Sequence, residues 1–377
     1  MNASGAAFLA VLAFTSPDED LAASLRKLRS VAAEGKGNEE AARAWKSVVS
    51  RGPDALIPVL AAFDGVDPRA ANWLRTAVDA ICETALAKKQ PLDLAKLETF
   101  VLEPRGPGIA RGLAYEWLSR TDPAAIDRLL PGLLDDPSRE LRRAAVARAA
   151  AEAEALLKGP DKKAAAEAFR KLLPFARDRD QVDAVVKNLK TLGVEVDVQA
   201  QYGVVSRWVL ISSFDNTGMK GFDVAYAPEK AVDLQSAVPG KGEKPVRFVS
   251  HTTAEPRGKI DLNAVLGKEM GAVAYAYAAV DSPAERPVEL RVASNNAVKL
   301  FLNGELLFFR HEYHHGMTMD QYVGRAKLRA GKNELLLKIC QNEQKDDWAQ
   351  TWGFQARLCD ALGGAVPFTN VTPETKP

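Results

Sequence analysis

A chain of 377 residues, 47% hydrophobic and 26% charged, has the composition of a folded globular protein and enough length for two or three cores. Lys plus Arg number 50 against 49 Asp plus Glu, which removes the bulk positive field expected of a protein that recruits nucleic acid or an anionic membrane surface. No apolar run approaches the roughly 20 residues needed to span a bilayer, so a soluble chain without a membrane span is expected.

The amino-terminal stretch MNASGAAFLAVLAFTSPDED carries an apolar run from Ala6 to Phe14, followed by small and then acidic residues. That run suits the apolar region of a secretory signal, although no Lys or Arg precedes it. Residues 1–16 are therefore read as a signal peptide and the destination as secreted or periplasmic. The competing reading is a first helix packed on its neighbours in a cytoplasmic protein.

From residue 17 to 192, Ala and Leu dominate and apolar residues recur at helical spacing, as in Leu21, Leu25 and Leu28 or Trp73, Ala77 and Ile81. Asp67-Pro68 and Asp122-Pro123 each place a capping carboxylate before a proline suited to the first helical turn. Pro68, Pro104 and Pro137 recur 36 and then 33 residues apart, and an apolar-apolar-proline triplet recurs at Pro58, Pro131 and Pro174. A period in the thirties built from helix pairs predicts an α-solenoid. The tetratricopeptide and ankyrin signatures are absent, and the pattern resembles short HEAT-like repeats. That resemblance implies a scaffold.

Residues 193–203 form a short junction with several β-branched residues and little Ser or Pro, which predicts a docked connection and not a loose tether. Beyond it the period becomes two. Val288, Leu290 and Val292 alternate with Glu289 and Arg291, and Leu335, Leu337 and Ile339 share one face, as do Phe354, Ala356 and Leu358. Short strands between Gly, Pro and Asn clusters predict an antiparallel β-sandwich or jelly roll over 204–370, followed by a tail at 371–377. The fold class is therefore α+β multidomain. Asn303-Gly304 between apolar runs predicts a tight hairpin, and Phe308 and Phe309 should point to opposite faces of its second strand.

Four segments in order, WVLISSFDNTGMKGFDVAYAPEKAVDL, VELRVASNNAVKLFLNGELL, LRAGKNELLLKICQNE and WGFQARLCD, resemble a galactose-binding-domain-like β-sandwich over roughly residues 204 to 366. The resemblance implies an accessory domain of the carbohydrate-binding-module kind, not an enzyme, with a carbohydrate or an exported protein as partner. Ser212 and Ser213 stand where that family carries glycine and proline, and Phe301 replaces a frequent tryptophan. Asn295, Asn296 and Ala297 stand where acidic residues and glycine are common. Calcium prefers charged or carbonyl oxygens, so the two asparagines are read as turn residues and no cofactor is expected.

Within this region the aromatic residues are the leading functional candidates. Trp348 and Trp352 lie in QKDDWAQTW beside Asp346, Asp347 and Gln350, a combination in which indoles stack on sugar faces while carboxylates and amides meet hydroxyls. Tyr313 in RHEYHHGM and Tyr322 beyond it could join from the histidine loop. The competing reading makes Trp352 the start of a strand and part of the core. His311, His314 and His315, with Glu312, are weak zinc candidates and would make the chain a metal-dependent hydrolase, but no H-E-x-x-H order exists and a loop is expected. A purely structural interaction protein is the remaining alternative. No G-x-S-x-G elbow, P-loop or G-x-G-x-x-G occurs, and His251 beside Ser250 implies no geometry. Cys82, Cys340 and Cys359 fit no metal spacing. Cys340 and Cys359 are expected on adjacent strands but too far apart to bridge, hence free.

Overall fold

The structure is a computed structural model and describes residues 19–373, so the segment read as a signal peptide and residues 374–377 of the tail lie outside the described residues. The chain divides into two compact units, Met1–Ala151 and Glu152–Pro377.

The first unit is helical, with α1 (Glu19–Arg29), α2 (Asn38–Ser50), α3 (Leu56–Ala61), α4 (Pro68–Ala87), α5 (Leu94–Leu102), α6 (Gly108–Thr121) and α7 (Ala124–Leu129); α8 (Arg139–Lys158) runs across the unit boundary. Sequence chemistry sets the start of α4. The Asp67 carboxylate accepts from Arg69 N at 2.9 Å and Pro68 occupies the first turn, where its missing N–H is harmless. The helix buries Ala70, Leu74, Ala77, Val78 and Ile81, and this stripe joins Leu28, Val48, Leu60, Leu113 and Trp117 in one core. Inside that unit Arg111 is fully buried. Its guanidinium donates to both carboxylate oxygens of Asp136, at 2.9 and 2.7 Å, and to Val101 O. A charge taken out of water is tolerable only when so completely paired.

The three apolar-apolar-proline triplets differ locally. Pro58 lies inside α3, whereas Pro131 and Pro174 sit in 3-10 turns, Leu130–Gly132 and Leu173–Phe175.

The second unit begins with α9 (Lys162–Leu172), α10 (Arg179–Thr191) and α11 (Val198–Tyr202), which cluster with the sheets. Asp197 caps α11 through Ala200 N at 2.9 Å, and Gly203 ends it at φ +69°. A Cβ at Gly203 would lie 2.3 Å from Leu358 O, so the chain passes here only as glycine. Gln199 Nε2 donates to Thr253 O and Glu255 O, both at 2.9 Å, and Arg357 Nη1 donates to Tyr202 O at 3.0 Å. These bonds fasten α11 to the sandwich.

The strands are β1 (Arg207–Asp215), β2 (Val238–Pro239), β3 (Pro245–Val246), β4 (Val249–Thr252), β5 (Ile260–Asp261), β6 (Ala272–Ser282) and β7 (Arg286–Ser294). There follow β8 (Ala297–Leu302), β9 (Glu305–Arg310), β10 (Tyr322–Leu328), β11 (Gly331–Gln341), β12 (Gly353–Cys359) and β13 (Thr369–Asn370), with short helices α12 (Ala227–Lys230) and α13 (Leu262–Leu266) in the connections. The larger sheet has the order β4-β1-β6-β11-β8-β9, with β13 added to β6; the smaller has β10-β7-β12-β5, and β2 and β3 form a separate ribbon. All pairings are antiparallel. The α+β class with helices first and antiparallel sheets second is what the change of period predicts.

The apolar faces of β7, β11 and β12 meet in the interlayer core, where Val288, Leu290, Leu335, Leu337, Ile339, Phe354 and Leu358 pack with Trp208 and Trp352. The opposite face of the larger sheet is also dry. Ile211, Val273, Tyr275, Tyr277 and Cys340 pack against Phe222 and Phe248 from the long connection after β1. Burial on both faces explains why β6 reads AVAYAYAAV without polar alternation. Lys338 Nζ pins that connection, donating to Phe222 O at 2.9 Å, Val224 O at 2.6 Å and Glu229 Oε1 at 2.9 Å.

Asn303 (φ +52°) and Gly304 (φ +83°) form the β8–β9 turn, both in the left-handed region that matches the twist of a two-residue hairpin. Phe308 turns toward the interlayer core while Phe309 is 53% exposed. One expectation is corrected. Cys340 pairs with Val273 and Ala297 in the larger sheet, whereas Cys359 pairs with Glu289 in the smaller, so their strands are not neighbours. Period alone marks a face but not the sheet that owns it. All three cysteines are free and buried, and burial pushes each thiol up to about 12.

Candidate functional site

Register brings four connections to one end of the sandwich. Asp215 and Gln341 both lie opposite Ala272, Cys340 lies opposite Ala297, and Val298 lies opposite Arg310. The loops after β1, β7, β9 and β11 therefore converge.

Buried amides join them. Asn216, fully buried, donates from Nδ2 to Gln341 O at 2.9 Å and to the Tyr313 hydroxyl oxygen at 3.2 Å. Gln341 Nε2 donates to Ala349 O at 3.1 Å. Asn296 accepts from His314 N at 3.0 Å and donates to Thr351 O at 2.8 Å, tying the β9–β10 loop to the β11–β12 loop. Asn295 holds His315 through both of its backbone-directed bonds, Nδ2 to His315 O at 3.2 Å and O from His315 N at 3.1 Å. The two asparagines thus staple loops.

Across this frame runs a row of rings. Phe222 and His311 stack at 4.2 Å with planes 8° apart, and His311 meets Tyr313 edge-on at 5.6 Å. Tyr313 lies 6.1 Å from His314, and His314 meets Trp348 edge-on at 5.5 Å. Trp348, carried on a 3-10 turn (Asp347–Ala349), is 65% exposed. Burial pushes the Tyr313 hydroxyl up to about 12, so it stays protonated.

Polar groups edge the Trp348 end of the row. Asp346 accepts from Gln344 Nε2 at 3.1 Å, and Asp347 lies 3.4 Å from Gln350 Nε2. Gln350 is mainly a loop brace, donating to Lys345 O at 2.7 Å and accepting from Lys268 Nζ at 3.4 Å. Trp352 is withdrawn from the ligand set. It is fully buried in the interlayer core, because the strand it leads into turns the indole inward.

The three loop histidines do not converge. His311 stacks on Phe222, His314 Nε2 lies 2.7 Å from Asn342 Oδ1, and His315 Nδ1 lies 2.8 Å from Gln321 Nε2. Among the described residues no group of three His, Cys, Asp or Glu side chains is placed to hold a metal ion. His251 sits elsewhere, on β4 opposite Trp208. Asn342 Oδ1 also accepts from Gln344 N at 3.0 Å, which orients the amide and makes His314 Nε2 the donor.

Five buried polar atoms at this end have no hydrogen-bond partner: Asn216 Oδ1, Asn295 Oδ1, His314 Nδ1, Gln341 Oε1 and Trp352 Nε1. Asn216, Phe222 and Asn342 were not singled out from the sequence. The only sequence signal for Asn216 is its place in FDNTG directly after a strand.

Fold and loop end together define an α+β protein in which a helical amino-terminal region precedes antiparallel sheets ending in an aromatic loop surface. No family model and no curated protein matches the chain. Among solved structures it is similar to a family 35 carbohydrate-binding module from an environmental isolate, at 10% identity over 28% of this chain and 74% of that one, with a TM-score of 0.20. It is also similar to a selenomethionine-labelled β-glucosidase from Kluyveromyces marxianus, at 10% identity over 76% of this chain and 36% of that one, TM-score 0.27. The glucose complex of that enzyme aligns at 9% identity with a TM-score of 0.28. This chain spans little more than a third of the glucosidase, and likenesses this weak carry no inference about ligand or activity.

Proposed function

We propose that the sandwich is a non-catalytic carbohydrate-binding module and that an oligosaccharide lies along the row from His311 to Trp348. The observation that carries this reading is the run of ring contacts ending in a largely exposed indole, with carboxylates and amides at its edge. Such a surface offers flat apolar faces for the C–H side of a pyranose and hydrogen-bonding groups for its hydroxyls.

A binding role is favoured over glycoside hydrolysis by the arrangement of acids. Hydrolysis needs two carboxyl groups facing each other across about 5–10 Å of substrate. Asp346 and Asp347 instead follow one another on a single turn, and Glu343 accepts from Gly218 N. In this reading the helical region is a HEAT-like scaffold that offers a separate surface to a protein partner, and the protein acts outside the cytoplasm.

Titration calorimetry of the full chain against a panel of oligosaccharides tests the proposal. Saturable heat with at least one glycan, lost in Trp348→Ala, is expected. Heat with none of them, or binding indifferent to that substitution, sinks it.

A further inference from the structure

We infer that the ligand of this end is a saccharide that presents hydroxyl or ammonium donors and carries no carboxylate, a reading that rests on the proposed glycan site and sharpens it. The inference comes from the distribution of acidic and basic side chains around the row.

The two loops that form the row, residues 311–321 and 342–351, contain Glu312, Asp320, Glu343, Asp346 and Asp347 against Lys345 as their one Lys or Arg. Asp320 is neutralised by Arg357 and Arg291. Asp346 and Asp347 instead bond, beside the exposed indole, to the neutral amides of Gln344 and Gln350.

Three basic groups at the margin are turned to other work. Lys241 Nζ donates to Met270 O at 3.0 Å and Gly271 O at 2.8 Å, and Lys299 pairs with Asp223 at 3.8 Å while lying over the Phe222 ring. Arg310 donates to Phe309 O at 2.7 Å and covers Phe308 and Tyr322. Lys268 Nζ does stand at the Trp348 end, 3.4 Å from Gln350 Oε1, but a lone ammonium is not the guanidinium fork that grips a carboxylate bidentately.

A ligand carboxylate desolvated on this surface meets the Asp346 and Asp347 side chains, whose hydrogen bonds here are with amides. A hydroxyl or ammonium donor meets its complement.

The test is calorimetry of the full chain at one fixed ionic strength with three classes of probe: neutral cello-, xylo- and galacto-oligosaccharides, chitosan oligosaccharides, and oligogalacturonate. The expected result is binding by a neutral or amino-sugar probe, with oligogalacturonate weaker than the best of them by at least about tenfold. Asp346→Asn with Asp347→Asn should narrow that gap to within about threefold by relieving repulsion of the uronate. Oligogalacturonate binding as tightly as the best other probe, through a site that Trp348→Ala abolishes, overturns the inference while leaving the glycan reading standing. Binding of no saccharide overturns both.

Discussion

The ring of His314 meets the indole of Trp348 edge-on, with centroids 5.5 Å apart and planes at 82°. The two come from different loops and are 34 positions apart, yet His314 is fastened to its neighbour's loop: His314 Nε2 bonds to Asn342, at the start of the loop that carries Trp348. The two rings thereby brace one another at the exposed end of the row.

Removing that ring should separate binding from stability. Trp348→Ala is expected to weaken glycan binding by about 2 kcal/mol, roughly thirtyfold, as loss of an aromatic anchor does. Because the side chain is 65% exposed, unfolding free energy should change by no more than about 0.5 kcal/mol. Calorimetry and urea denaturation on the same preparation check both halves.

Lys338 is fully buried, and its ammonium holds the connection that carries Phe222. Lys338→Met would leave the Glu229 carboxylate without its cation and two carbonyls without a donor, a loss of about 3–5 kcal/mol in urea denaturation. Adding Glu229→Gln should recover part of it, since the stranded charge is then gone. Burial pushes the Lys338 ammonium below its ordinary 10.5, outweighing the support from Glu229. The unfolded chain therefore holds this proton to higher pH than the folded one, and Lys338 contributes stability that rises with pH as 10.5 is approached from below. Lys338→Met should lack that alkaline slope.

Asp320 behaves oppositely. Burial by itself would raise its pKa, but hydrogen bonds and charge from Arg357, then Arg291, outweigh burial and hold the carboxyl below its ordinary 3.8. A depressed carboxyl contributes stability that is present above the unfolded pKa and lost as pH falls through the folded one. Asp320→Asn should cost about 3 kcal/mol at pH 7, leaving Arg357 with a weaker partner. The difference from the parent protein should shrink below about pH 4. Denaturation midpoints across that range decide it.

Two glycines with similar backbone angles should respond differently to alanine. Gly304 (φ +83°) has nothing within 4 Å of an added Cβ, so Gly304→Ala should cost about 1 kcal/mol of backbone strain alone. Gly203 (φ +69°) has Leu358 O at 2.3 Å, so Gly203→Ala should cost at least about 3 kcal/mol and loosen α11 from β12. Equal losses in thermal unfolding would contradict the close approach.

Much of the architecture was legible in the linear order of residues. Alternation at Val288, Leu290 and Val292 marks β7, Asn303-Gly304 marks the β8–β9 turn, and Asp67-Pro68 marks the start of α4, because each is a local property of a few neighbouring residues. Tyr313, Trp348, Asp346 and Asp347 could likewise be named from residue type and loop context. What covers a face and what meets across a loop end depend on pairing between distant strands, which only the tertiary structure decided. It placed Trp352 inside, put Cys340 and Cys359 in different sheets, set three histidines against three separate partners, and brought Asn216 to Tyr313 from 97 positions away. Periodicity specifies which side chains leave water, but the neighbours they find are set by strand register, a long-range free-energy balance that no short window of residues contains.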